Sequence, residues 1–149
     1  MKNMELKIRA YGAADTEKLS TIWLEASLVA HAFIGKKRLL EQRGLIENDY
    51  LPNAETWVAC RNGEPVGFIS LMGNFIGGLF VAPSSQGQGV GRTLVDHALK
   101  AREELVLEVY TDNVQAQAFY ESLGFTEISR RASDDEGMPF ENAQMRLKR

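Results

Sequence analysis

At 149 residues, with 44% hydrophobic and 25% charged side chains, the chain has the length and apolar content to fold as one domain over 1–149 without disulfide or metal staples. A net charge of -3 gives no field to draw it to nucleic acid or to an anionic membrane, and the lone cysteine, Cys60, excludes an intrachain disulfide. The first dozen residues hold no apolar signal-peptide core and no apolar run approaches a membrane span, so a cytoplasmic protein with no membrane partner is expected.

Residues 6–11 alternate as a first strand, with Leu6, Ile8 and Ala10 on one side. Asp15 is placed to cap a helix that carries Leu19, Ile22, Trp23, Ala26, Ala30 and Phe33 at helical spacing. A weaker helical pattern over 37–51 stops at Pro52. Residues 56–61 read as a strand ending at Asn62-Gly63, a strong hairpin signal, and 66–72 returns as its partner. A third apolar run, 75–81, ends at Pro83. Then the pattern changes. A glycine-rich loop over 84–89 feeds a helix with Leu94, Val95, Ala98 and Leu99 on one face, and 105–110 is a strand. Asp112 and Gln115 have capping-box spacing for a helix that ends at Gly124, with Phe125 as the hydrophobic partner of a Schellman ending. Strands over 125–131 and 142–148 flank the acidic turn Asp134-Asp135-Glu136-Gly137. The order β α α β β β α β α β β predicts an α/β (mixed α+β) fold, with hairpins first and strand–helix units after.

The loop Gln86-Gly87-Gln88-Gly89-Val90-Gly91-Arg92-Thr93 stands between a strand and a helix. Glycines let backbone approach a ligand, and the free N–H groups of the next helical turn form an anion site suited to a pyrophosphate, with Arg92 adding charge. A Walker loop would need glycine at 86 and lysine at 92. A dinucleotide fingerprint would need glycine at 92 and would follow the first strand of the fold. Both are near misses.

A third pattern fits. Gln86, Gly89 and Gly91 match the Gln/Arg-x-x-Gly-x-Gly/Ala loop of the GCN5-related N-acetyltransferases (GNAT), and Leu79-Phe80-Val81-Ala82-Pro83 resembles that family's fourth strand and its exit. Residues 113–125, from Asn113 through Phe119-Tyr120 to Gly124-Phe125, resemble its Asn-x-x-Ala-x-x-Phe-Tyr helix. Residues 23–33 and Trp57-Val58-Ala59 are similar to the YjaB-like bacterial acetyltransferases within the family. The resemblance implies a twisted mixed sheet of six or seven strands, flanked by helices and splayed between the Phe75 and Leu105 strands to admit acetyl-CoA. It implies no metal. The coenzyme would lie against Leu79, Phe80 and Val81, the loop from Gln86 to Thr93, Asn113, Phe119 and Tyr120. The acceptor would be an amine on a small molecule or peptide, and homodimers are common in the family.

Acetyl transfer needs a base for the ammonium, a donor for the carbonyl oxygen and a proton for the thiolate. Tyr120 matches the family tyrosine that serves the thiolate; with pKa values of about 10 and about 8.5, that transfer is uphill by about 2 kcal/mol. A tyrosine packed in the core is the plainer alternative. For the base, Glu108 is a mid-strand carboxylate whose desolvation would raise its pKa, unless it is salt-bridged. His31, carried over from the YjaB-like resemblance, titrates in the right range or is a structural histidine at a helix end. Water is the third candidate. The resemblance implies that a backbone N–H on the Leu79–Val81 strand holds the carbonyl oxygen, and Gly77-Gly78 just before it suggests a bulge or close approach there. Lys36-Lys37-Arg38 reads as a solvated face, and the acidic turn would favour a cationic amine if it stands at the substrate mouth. Trp23 and Phe33 read as core residues that could also line the acceptor pocket. The rivals are an acyl-CoA sensor on the same fold and a phosphate-loop nucleotide enzyme.

Overall fold

The computed structural model describes residues 6–135 and 137–148. Strand β1 (Leu6–Ala10) leads into helix α1 (Thr16–Ala30), then α2 (Lys36–Leu45), a π-helical stretch Ile46–Tyr50 and a single turn α3 (Leu51–Asn53). The meander β2 (Glu55–Arg61), β3 (Glu64–Met72) and β4 (Phe75–Val81) follows. Helix α4 (Val90–Leu99), β5 (Glu104–Tyr110), α5 (Val114–Ser122), β6 (Thr126–Arg131) and β7 (Asn142–Lys148) complete the order, which is the one expected. Among the described residues the seven strands form one sheet, ordered β1-β2-β3-β4-β5-β7-β6.

Local chemistry explains most boundaries. Asn62 (φ 54°) and Gly63 (φ 77°) both take positive φ, as a two-residue type I′ hairpin requires. Helix α5 ends in a Schellman motif: Phe125 N–H donates to the Tyr120 carbonyl (3.1 Å) and Gly124 N–H to the Glu121 carbonyl (3.0 Å). The Phe125 and Tyr120 rings pack 5.5 Å apart across that ending.

Three expectations shift. The Asp15 carboxylate does not cap α1; it turns back to accept from Gly12 N–H and from both Arg9 Nη atoms (2.8 Å each). The cap of α5 is Asn113, whose Oδ1 accepts from Ala116 N–H, one residue after the expected Asp112. Pro52 does not end the helical run at Leu51 but takes a first-turn position of the single turn α3, where a missing N–H is tolerated.

The sheet buries apolar side chains on both faces. Leu19, Ile22, Trp23, Leu39, Val58, Cys60 and Phe68 form a cluster under α1 and α2. Ala59, Ile69, Leu71, Leu94, Val95, Leu105, Leu107 and Met145 form another under α4 and α5. Alternation along β5, with Leu105, Leu107 and Val109 buried, commits one face to that second core and leaves Val106, Glu108 and Tyr110 on the other.

The site depends on one discontinuity. Strands β4 and β5 are parallel and pair only at Phe75–Val106 and Ile76–Leu107. Between β3 and β4 the register shifts: Ser70 faces Gly78 and Leu71 faces Ile76, so Gly77 is the extra, unpaired residue of a bulge. Beyond it the remaining length of β4 runs without a ladder partner on its β5 side. The sheet opens there.

Candidate active site

The opening is a cavity of about 860 Å³. One wall is the free edge of β4, with Leu79, Phe80 and Val81. Another is the turn into α4: Gly87 (φ 78°) and Gly89 (φ 83°) take the left-handed region, and Val90 is the first helical residue. Because the capping residue is Gly89, no side chain bonds the first-turn N–H groups of α4, and the first backbone bond to its carbonyl comes from Thr93 N–H (3.0 Å). These donors and the helix dipole therefore face the cavity as an anion site. Exposed Arg92 stands beside them. A Cβ on Gly91 would lie 2.9 Å from Phe119 Cζ, so that glycine lets the Phe119 ring pack on the loop.

Of the residues expected at the site, Gln86, Gly87, Gly89, Val90, Gly91, Arg92, Asn113, Phe119, Tyr120, Glu108 and His31 also line this cavity. Two do not. The Gln88 side chain accepts from Arg61 and donates to the Ser84 carbonyl, and the Thr93 hydroxyl donates to the Gly89 carbonyl (2.8 Å). Trp23 lines the cavity from the core, whereas Phe33 packs outside it against His31, Tyr110 and Phe140. Lys36 and Lys37 are exposed, away from the cavity.

Tyr120, on the last turn of α5, is 9% exposed, and burial pushes its phenol above the usual tyrosine range. It carries its proton throughout the working pH range. Asn113 is less free than expected: with Oδ1 on the Ala116 N–H, its Nδ2 faces His31 Nε2 at 3.2 Å. His31 is therefore the acceptor in that pair, and burial lowers its pKa from 6.5 to about 4, so the ring is neutral. Glu108 is not the stripped carboxylate expected of a mid-strand glutamate. One oxygen accepts from Arg131 Nη2 (3.0 Å) and the other from Gln144 Nε2 (2.9 Å), partners supplied by β6 and β7.

A smaller cavity, about 270 Å³, lies against the first and shares Tyr50, Ile76, Gly77, Glu108 and Tyr110 with it. Asp134 and Asp135 line it, Arg131 being its cation. Asp134 accepts from the Tyr110 hydroxyl (3.0 Å) and Asp135 pairs with Arg131 (2.9 Å); the expected acidic turn thus reaches the cleft, with Glu136 lying outside the described residues. Tyr50 belongs to no motif. The signal available for it was an aromatic residue before Leu51-Pro52 in a chain that also carries Gly77-Gly78.

The description Acetyltransferase (GNAT) family belongs to a family model that matches residues 16–125. The peptidyl-lysine N-acetyltransferase YjaB of Salmonella typhimurium is 38% identical over 138 residues, 92% of this chain and 94% of that protein. The solution structure of apo-form YjaB from Escherichia coli superposes with a TM-score of 0.88 at 35% identity, covering 96% of this chain and 97% of that one. YncA from Salmonella typhimurium, solved with its cofactor acetyl-CoA, shares the fold at a TM-score of 0.68 and 21% identity, over 96% of this chain and 93% of its own.

Proposed function

The chain belongs to the GNAT acetyltransferase family and is an acyl-transfer enzyme, and from that premise we propose that it moves the acetyl group of acetyl-CoA to a lysine side chain of a peptide or protein. The observation that carries the reading is a convergence. The uncapped start of α4, the unpaired edge of β4 and the buried phenol of Tyr120 all open on one cavity. A diphosphate held by the α4 amides would let the coenzyme arm run along β4 like an added strand, bringing its sulfur toward Tyr120.

The second, acid-lined cavity supports a cationic acceptor that enters opposite the coenzyme. Its nitrogen must lose a proton before attack. Glu108 is bonded at both oxygens and the His31 lone pair is taken by Asn113, so solvent in the cleft is the proton acceptor. Tyr120 then serves the departing thiolate. Burial raises the phenol, but the same burial raises the thiol, so the gap between them stays small against an enzymatic barrier. The test is thiol release from acetyl-CoA with a panel of amines. Amine-dependent release that falls about a hundredfold in Tyr120→Phe supports the reading; tight acetyl-CoA binding with no amine-dependent release would leave only an acyl-CoA sensor.

A further inference from the structure

The smaller cavity holds charges of both signs: Glu108, Asp134 and Asp135 are its carboxylates and Arg131 its cation. One nitrogen engages two of the acids. Arg131 Nη2 donates to Glu108 Oε1 (3.0 Å) and to Asp135 Oδ1 (2.9 Å). Its Nε donates to Oδ1 of buried Asn142 (3.3 Å), whose Nδ2 donates in turn to the Ser133 and Phe140 carbonyls (3.1 and 3.3 Å). The guanidinium is therefore held by groups from β5, from β7 and from the turn after β6. Glu108 has a neutral partner at its other oxygen. Ser129 donates to Gln144 Oε1, which turns that amide so that Nε2 faces Glu108 (2.9 Å). Gln144 satisfies the oxygen without cancelling its charge; Arg131 does both. Glu108 lines the two cavities alike, so its charge is felt where they meet. The ion pair is only partly covered, with 38% of the Arg131 side chain and 21% of Glu108 exposed, so whatever enters the smaller cavity meets the guanidinium itself.

We propose that Arg131 is a specificity-determining residue for the acceptor: it lowers the preference for an amine that carries a second cation beside the reacting lysine. The assignment rests on the acetyl-transfer reading above and on entry of the acceptor from this side. The acids leave the cavity wall net negative, which suits one ammonium. A second positive group finds Glu108 and Asp135 already engaged. It must approach a guanidinium of like charge or displace it from two charge-assisted bonds. A lysine with neutral neighbours meets neither cost, and its own nitrogen sheds its charge before attack. Selectivity is a difference between two affinities, and a fixed like charge acts on one of them alone.

The test uses two peptides with blocked α-amines, each with one lysine, identical except that arginine or glutamine follows it. The quantity read is the ratio of kcat/KM for the arginine peptide to that for the glutamine peptide, with acetyl-CoA saturating. In Arg131→Gln this ratio is expected to rise about 3- to 10-fold over wild type, and the rise should shrink as salt goes from about 0.05 to about 0.5 M. Arg131→Lys keeps the charge and should hold the ratio within about twofold of wild type. Loosening of the β6–β7 turn would slow both peptides alike and leave the ratio where it was, so an unmoved ratio in Arg131→Gln overturns the assignment. A rise that is as large in Arg131→Lys overturns it too, because shape rather than charge would then decide. An inactive wild type would sink the acetyl-transfer reading and this assignment together; an active wild type whose ratio Arg131→Gln does not change sinks the assignment alone.

Discussion

His31 gives the cleft an acid-sensitive joint. The ring is buried at the end of α1, accepts from Asn113 at the start of α5 and packs edge-on against Phe33 and Tyr110. Burial lowers its pKa from 6.5 to about 4, below the unfolded value. As pH falls the unfolded chain takes up the proton first, so the neutral ring's contribution is complete above 6.5 and is lost as pH drops from 6.5 through 4. The gap is worth about 3 kcal/mol in full, and about 2 kcal/mol of that is lost by about pH 5. Glutamine at this position keeps an oxygen to accept from Asn113 and has no proton to gain. Urea unfolding at about pH 7.5 and about pH 5 should therefore show wild type losing about 2 kcal/mol more than His31→Gln between the two conditions. The window stays above the range where Asp15 and Glu55, both held below the usual carboxylate pKa chiefly by side-chain hydrogen bonds from Arg9 and Trp57, begin to give up stability. An equal loss in the two proteins would refute the reasoning.

On the proposed route, in which solvent takes the proton, Glu108→Gln should keep kcat within about tenfold of wild type; a pH–rate profile that loses its acidic limb in the variant would restore Glu108 as the base. Arg92→Ala should weaken acetyl-CoA binding about 3- to 10-fold in calorimetry, with a shallower salt dependence and no change in amine KM. Gly124→Ala places a side chain at φ 105° and 3.2 Å from Leu147 Cδ1, and chemical denaturation should register a loss of about 1–2 kcal/mol.

Where structure is set by neighbours in the chain, the residues announced it. The Asn62-Gly63 turn, the 75–81 strand and the Gly124-Phe125 helix ending depend on φ preferences and alternation, and each stands as expected. The loop before α4 was legible for the same reason, since its glycines and its place between strand and helix are local facts. What was not legible came from long range. Strand β7 inserts between β5 and β6, so Glu108 meets Gln144 and Arg131, and no periodicity predicts that a mid-strand carboxylate will be satisfied there. Tyr50 likewise has its hydroxyl covered against Gly77 on another element. Asn113 is the cap, but only Asp112 has a glutamine three residues on, and that capping-box spacing pointed one residue too early.

The most direct measurement is mass spectrometry of a lysine-containing peptide, its α-amine blocked, incubated with the protein and acetyl-CoA. One acetyl group on the lysine side chain, formed in step with free coenzyme thiol and slowed in Tyr120→Phe, is the predicted result. A peptide that stays unmodified while the protein binds acetyl-CoA, or an acetyl group that forms equally fast without Tyr120, would contradict it.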